Sequence, residues 1–328
     1  MSNFLKSLLI FAASLVFCLA IVEAGVRLLA DDGMQYDLEM WKYARAMKRV
    51  STIADAGHDH VPGTSARLMG VDVRINSTGQ RNPEILRPKP DDVYRIVMLG
   101  DSLTFGWGVE EEQTSSRRLE RKLNSVRSNG RRVSIVNAGV GNYNTKMQAA
   151  WLVAEGDRYE PDMILLNYFI NDAEPTPVRR GGVLRESSAA FVYFWGRADA
   201  LQRKFFGKAD WRQYYRDLYH SDALGWHDTQ RAFGRLVEYA RKRDIPLLVV
   251  NYPELRALLS PYPFGDINDQ IEALAGRHRL PYLDLLPTVT GQTPETLWVS
   301  LEDAHPNAKA FALFSEAIAD WVAGHIRH

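Results

Sequence analysis

From residue 96 onward, short, mainly apolar runs alternate with longer amphipathic stretches. Ile96-Val97-Met98-Leu99 stops abruptly at Gly100, and 133–136 stops at Asn137. Residues 163–170 run up to Asn171, with further runs at 247–252 and 280–284. The run at 96–99, apolar throughout rather than at every second position, suits a strand buried on both faces of a parallel sheet. Between them the pattern predicts helices over 115–124, 143–158 and 228–243, with a closing amphipathic helix over 308–326. Strand and helix in succession predict an α/β fold whose central parallel sheet carries helices on both faces. Right-handed crossovers then bring the carboxyl ends of all strands to one edge, where such sheets carry their sites. Ser102, Asn142 and Asn171 each follow a strand end, so the pattern alone gathers them there.

The N-terminus follows a different rule. Residues 7–22 carry no charge, follow Lys6, and are extended by Phe4 and Leu5 in front and by 24–30 behind. A bilayer core needs about 20 helical residues, so the run is long enough to span. We read 1–30 as an uncleaved signal anchor, a single transmembrane helix of the inner (cytoplasmic) membrane. Lys6 and the free amine then keep the N-terminus cytoplasmic and leave the rest extracytoplasmic, in the periplasm. A cleaved secretory signal is the alternative, although Glu23 is awkward in the Val22-Glu23-Ala24 cleavage position. A buried helix of a soluble domain is the third reading. Lipoprotein processing at Cys18 is disfavoured, because Leu15-Val16-Phe17 lack the small residues it prefers.

Residues 31–92 read as a connecting region: a short amphipathic helix over 38–50, a loop over 51–65, a strand over 71–75, and an extended approach set by Pro83, Pro88 and Pro90. A polar turn is expected over 125–132. Residues 173–227 interrupt the alternation; they open with prolines and Arg179-Arg180-Gly181, then become densely aromatic. This stretch is expected to pack as an insertion overhanging the site, as a lid or substrate wall. Pro253-Glu254-Leu255 and 261–264 form a second irregular rim.

Composition narrows the function classes. The chain has 328 residues, and Lys+Arg and Asp+Glu both number 40, so no global field favours nucleic acid. Its one cysteine allows neither an intrachain disulfide nor a cysteine-based metal site. No His/Asp/Glu cluster has ligand spacing, so neither metal nor cofactor is expected.

Four stretches carry a family resemblance, and they occur in the family's order. Gly100-Asp101-Ser102-Leu103 resembles the first block of the SGNH/GDSL hydrolases, 137–145 the second, Asn171-Asp172 the third, and Asp303-Ala304-His305-Pro306-Asn307 the last. They frame a hydrolase domain over 93–328. A nucleophile elbow is not matched, since Thr104 stands where its second glycine would be. Residues 76–81 resemble an N-S-x-G-x-R segment found ahead of the serine block in membrane-anchored bacterial extracytoplasmic members. The resemblance implies a three-layer, flavodoxin-like sandwich.

It also implies roles. Ser102 would be the nucleophile and His305, alone among eight histidines in an Asp-x-His-Pro arrangement, the general base. Many members place an aspartate three residues before the histidine, where this chain has Glu302; Asp303, two before, is favoured to orient the ring, with Glu302 in reserve. The oxyanion donors would be the Ser102 backbone N–H, a second-block N–H at Asn142 or its neighbour Gly141, and the Asn171 side chain. Phe169 replaces the glycine of the third block and suggests a bulkier floor. Asp101 and Asp172 are expected to brace loops.

The implied activity is that of a serine esterase acting on ester groups of an envelope or exported polysaccharide, O-acetyl above all, by hydrolysis or acyl transfer. Expected partners are the acylated glycan, the membrane through the N-terminal helix, and a membrane-bound O-acyltransferase. A lipase or lysophospholipase is the alternative enzyme. A membrane-tethered scaffold or binding protein on a hydrolase-like fold is the alternative outside catalysis.

Overall fold

A computed structural model describes residues 3–126, 131–177, 182–206, 210–259 and 261–326. The polar turn expected over 125–132 and the Arg179-Arg180-Gly181 opening of the insertion lie partly or wholly outside them.

Five parallel strands make the central sheet: β1 (Val93–Leu99), β2 (Arg132–Asn137), β3 (Met163–Phe169), β4 (Leu247–Tyr252) and β5 (Tyr282–Asp284), in the spatial order β2-β1-β3-β4-β5. Eight longer helices are named here: α1 (Asn3–Gly25), α2 (Tyr36–Met47), α3 (Ser115–Val126), α4 (Thr145–Glu155), α5 (Ala189–Phe206), α6 (Leu224–Lys242), α7 (Gly265–Arg277) and α8 (Ala308–Ala323). Successive strand residues point to opposite faces, so β1 divides its apolar run between two cores. Ile96 and Met98 pack with Leu119 and Leu123 of α3 and Phe311 and Phe314 of α8. Val97 and Leu99 face Met147 of α4, Phe233 of α6 and Ile271 of α7. The result is a three-layer α/β sandwich with a fully parallel sheet.

Residues 31–92, expected as a connecting region, carry secondary structure and a core of their own. The helix begins earlier and ends sooner than the expected 38–50, giving way at Lys48–Val50 to a strand that pairs antiparallel with His58–His60 inside the expected loop. Ser65–Leu68 and Val71–Arg74 form a hairpin. Tyr43, Met47, Leu68, Val73 and Ile75 bury against Phe105 and Trp107 of the loop after β1. Those two aromatics, three and five residues beyond Ser102, are what the segment packs on.

Asn3–Ala30 forms a 28-residue apolar helical stretch, with none of its most apolar window buried against the protein. At its inner end Val26 packs with Leu38, Ala189 and Ala190. Glu23 accepts from the Ser188 hydroxyl at 2.7 Å and from the Ala189 and Ala190 N–H groups at 3.0 Å, capping α5. In the insertion, Tyr219 and Trp226 are buried, whereas Phe194 and Trp195 of α5 are more than half exposed.

Candidate active site

Ser102 opens a one-turn helix immediately beyond β1, Ser102–Phe105, capped by Asp101, whose Oδ1 accepts from the Leu103 N–H at 2.8 Å. The turn requires glycine at position 100: a Cβ there would sit 2.0 Å from Thr104 Oγ1. Thr104 is fixed in turn by Asn167 Nδ2, 2.9 Å from its hydroxyl, and by Asn137 Nδ2, 2.8 Å from its carbonyl. Buried amides on β2 and β3 therefore hold the serine turn in place.

His305 arrives from the other end of the chain. Its Nε2 lies 2.8 Å from Ser102 Oγ, and its Nδ1 lies 2.5 Å from Asp303 Oδ1. Asp303 is fully buried, and its other oxygen accepts from the Trp107 indole N–H at 2.7 Å. The loop is pinned by the Val299 N–H donating to the His305 carbonyl at 2.9 Å, and by Asn307, whose side chain caps α8. Glu302 is exposed, 3.8 Å from Arg197. Tyr36 stacks on the His305 ring at 6.0 Å between centroids.

Burial works against charge on the His305 ring, but the Asp303 carboxylate beside it, with Asp101 farther off, outweighs burial and holds its pKa above the ordinary imidazole value. Burial likewise favours the neutral acid at Asp303, and there the His305 charge and its hydrogen bonds win, keeping the carboxyl below its usual range. Asp172 is pushed well above that range by burial and by nearby Asp101; its oxygens accept from Gln148 and Thr145 of α4. Asp101 and Asp172 thus both brace helix starts next to the serine.

Ser102 and His305 share a cavity of about 120 Å3 with Asn142, Asn171, Tyr36 and Phe169. Asn142 holds a left-handed backbone, φ +67°. The Gly141 N–H is consumed by the Tyr43 hydroxyl at 3.0 Å. Among the described residues the N–H groups of Ser102 and Asn142 have no acceptor. Asn171 Oδ1 is buried without a partner. A larger cavity, about 350 Å3, lies elsewhere and is lined by none of these site residues.

The sequence reading assigned nothing to Trp107, Tyr36, Arg256 or Lys48. Lys48 falls within the helix expected over 38–50, but its partners, like those of Trp107 and Tyr36, lie far away in sequence. No local signal could have found them.

A match to a family model decides the classification: residues 98–313 fit the model of the GDSL-like Lipase/Acylhydrolase family. The chain belongs to that family. No curated protein matches it by sequence. Among solved structures it is similar to a two-domain esterase active on acetylated mannans and co-crystallised with mannopentaose, at 15% identity and a TM-score of 0.44, covering 71% of this chain and 49% of that one. The chain therefore spans about half the length of that esterase. It is also similar to the lipase/acylhydrolase from Enterococcus faecalis, at 13% identity, TM-score 0.44, with 71% and 97% covered. The psychrotrophic esterase EstA from Pseudoalteromonas sp. matches at 15% identity, TM-score 0.42, with 70% and 97% covered.

Proposed function

We propose that this chain is a membrane-anchored serine esterase that removes or transfers short acyl groups, O-acetyl groups of an envelope or exported polysaccharide in particular. The observation that carries the reading is the relay Ser102 Oγ to His305 Nε2 at 2.8 Å and His305 Nδ1 to Asp303 Oδ1 at 2.5 Å. As the serine oxygen adds to the ester carbonyl carbon, its proton passes to His305 Nε2, and the carbonyl electron pair becomes an oxyanion. The free N–H groups of Ser102 and Asn142 and the Asn171 amide would receive that charge. The imidazolium, stabilised by Asp303, then protonates the leaving alcohol, and an acyl-serine remains. Water or a sugar hydroxyl attacks it, giving acid or a new ester.

The size of the cavity favours a short acyl group. Pockets for drug-sized ligands run to roughly 300–1,000 Å3, against about 120 Å3 here. The anchor is supported by the bare apolar surface of α1 and by Glu23, whose three bonds to the start of α5 would be lost on cleavage after Ala24.

Purified full-length protein in detergent is expected to release acetate from 4-nitrophenyl acetate, with rates falling steeply as the acyl chain lengthens, and Ser102→Ala is expected to abolish turnover. Full activity in that variant would refute the assignment. A preference for long acyl chains would favour a lipase, and failure of Ser102 to label with a fluorophosphonate would favour a scaffold.

A further inference from the structure

The segment ahead of the family domain reaches the rear of the candidate oxyanion site. Lys48, at the end of α2, donates from Nζ to the Gly141 carbonyl at 2.5 Å and to Asn142 Oδ1 at 3.0 Å. His58 Nε2 lies 2.9 Å from the same carbonyl and must donate to it. The Gly141 N–H is held by Tyr43, whose hydroxyl lies 2.6 Å from His60 Nε2, and His60 Nδ1 donates to the Gly79 carbonyl at 3.1 Å. Both backbone groups of Gly141 and the side-chain oxygen of Asn142 are thus tied to Tyr43, Lys48 and His58. The Asn142 N–H is the exception, and it has no acceptor among the described residues.

The geometry has a chemical consequence. The Gly141 carbonyl and the Asn142 N–H belong to one planar trans peptide, so they point in opposite directions. A cation on the carbonyl draws electron density towards that side and makes the N–H on the other a stronger donor, as along any hydrogen-bonded chain. Among the described residues no ion pair with a carboxylate offsets the charge of Lys48; the ammonium sits 4.4 Å from the centre of the Tyr43 ring instead. A desolvated cation with no counter-ion is costly where packing alone is needed.

We infer that Lys48 is a positioning residue for acyl transfer at Ser102: its ammonium orients and polarises the Gly141–Asn142 peptide, so that the Asn142 N–H meets the developing oxyanion as a strengthened donor. The inference rests on the reading of Ser102 as nucleophile and Asn142 as donor. Burial lowers the pKa of Lys48 to about 7. His58 and His60, pushed down to about 4 and about 3 by burial and by the Lys48 charge, stay neutral at pH 7.

The test compares Lys48→Met and Lys48→Arg in the full chain, in detergent, with 4-nitrophenyl acetate and with a trifluoromethyl ketone inhibitor. The ketone takes up the serine oxygen as a hemiketal whose oxyanion occupies the same site. Losing a whole oxyanion donor costs about a hundred- to a thousand-fold, so weakening one in Lys48→Met should lower kcat about ten- to a hundred-fold. KM should stay within about two-fold, since the effect is confined to the transition state. The ketone inhibition constant should rise by the same factor as kcat falls, and Lys48→Arg should recover most of both. The inference is overturned if Lys48→Met matches the parent in kcat and ketone affinity, or if Lys48→Arg is as impaired as Lys48→Met. Should Lys48→Met not fold, Lys48→Gln replaces it, with the same outcomes deciding. Ser102→Ala separates the two levels: activity surviving there sinks the underlying reading, whereas activity lost there but untouched by Lys48→Met sinks only the role of Lys48.

Discussion

The chemistry of the site turns on one imidazole and the carboxylate behind it. Buried Asp303 receives the His305 ring on one oxygen and the Trp107 indole on the other, so its orientation leaves the ring a single tautomer with Nε2 facing Ser102. Because His305 must be neutral to accept the serine proton, activity should rise with pH through its folded pKa. Burial lowers that value, but Asp303 more than compensates, so the acid limb of kcat/KM should lie above the ordinary imidazole value of about 6.5. Asp303→Asn removes the compensation: kcat/KM should fall by roughly 10^4, as tautomer loss does in serine hydrolases, and the acid limb should move down. A pH profile of both proteins measures this, and an unmoved limb would show that Asp303 does not set it. Sequence blocks named Ser102 and His305, and an aspartate two residues before the histidine, a spacing that also occurs in the superfamily, favoured Asp303 over Glu302. The indole that completes the arrangement could not be read, because Trp107 and Asp303 meet only on folding.

At the scale of elements, the loop between the serine turn and α3 is held from outside the family domain. Arg81 is fully buried and donates to three carbonyls: Phe105 at 3.3 Å, Gly106 at 2.5 Å and Val109 at 2.6 Å. The neighbouring Asn82 bridges the Ile135 carbonyl and the Asn137 N–H of β2. These contacts give a physical role to the 76–81 segment, which in sequence carried only a resemblance. Arg81→Met keeps much of the volume but strands the carbonyls it served, at about 1–3 kcal/mol for an unsatisfied buried group. The urea midpoint should fall accordingly, and the position of Trp107, reported by its fluorescence, should loosen with it. An unchanged midpoint would mean that water replaces the guanidinium.

For the whole molecule, residues 31–92 brace the sandwich from outside its three layers, packing on Phe105 and Trp107, and this leaves a mark on stability. His58 and His60 are buried neutral, with pKa values near 4 and 3. Above about pH 6.5 both folded and unfolded chains hold them neutral, so their contribution is intact. As pH falls from there towards 4, the unfolded chain takes up protons that the folded chain refuses, and stability is lost. The melting temperature should therefore decline over that window, and His58→Gln, which keeps an amide donor for Gly141, should make the decline shallower. An equal slope in the variant would count against this origin.

The alternation of strands with helices over most of the domain, the burial of β1 on both faces, and the gathering of Ser102, Asn142 and Asn171 beyond strand ends were all decided by the sequence. Each follows from the spacing of apolar residues over a few positions, and such spacing survives without knowledge of distant partners. Tertiary structure alone decided that the Trp107 indole meets Asp303, that Gly141 spends its N–H on Tyr43 while Asn142 keeps its own free, and that a segment read as a connector braces the site. The contacts of Gly141 with Tyr43 and of Ser102 with His305 span 98 and 203 residues, where no local periodicity records which groups will meet.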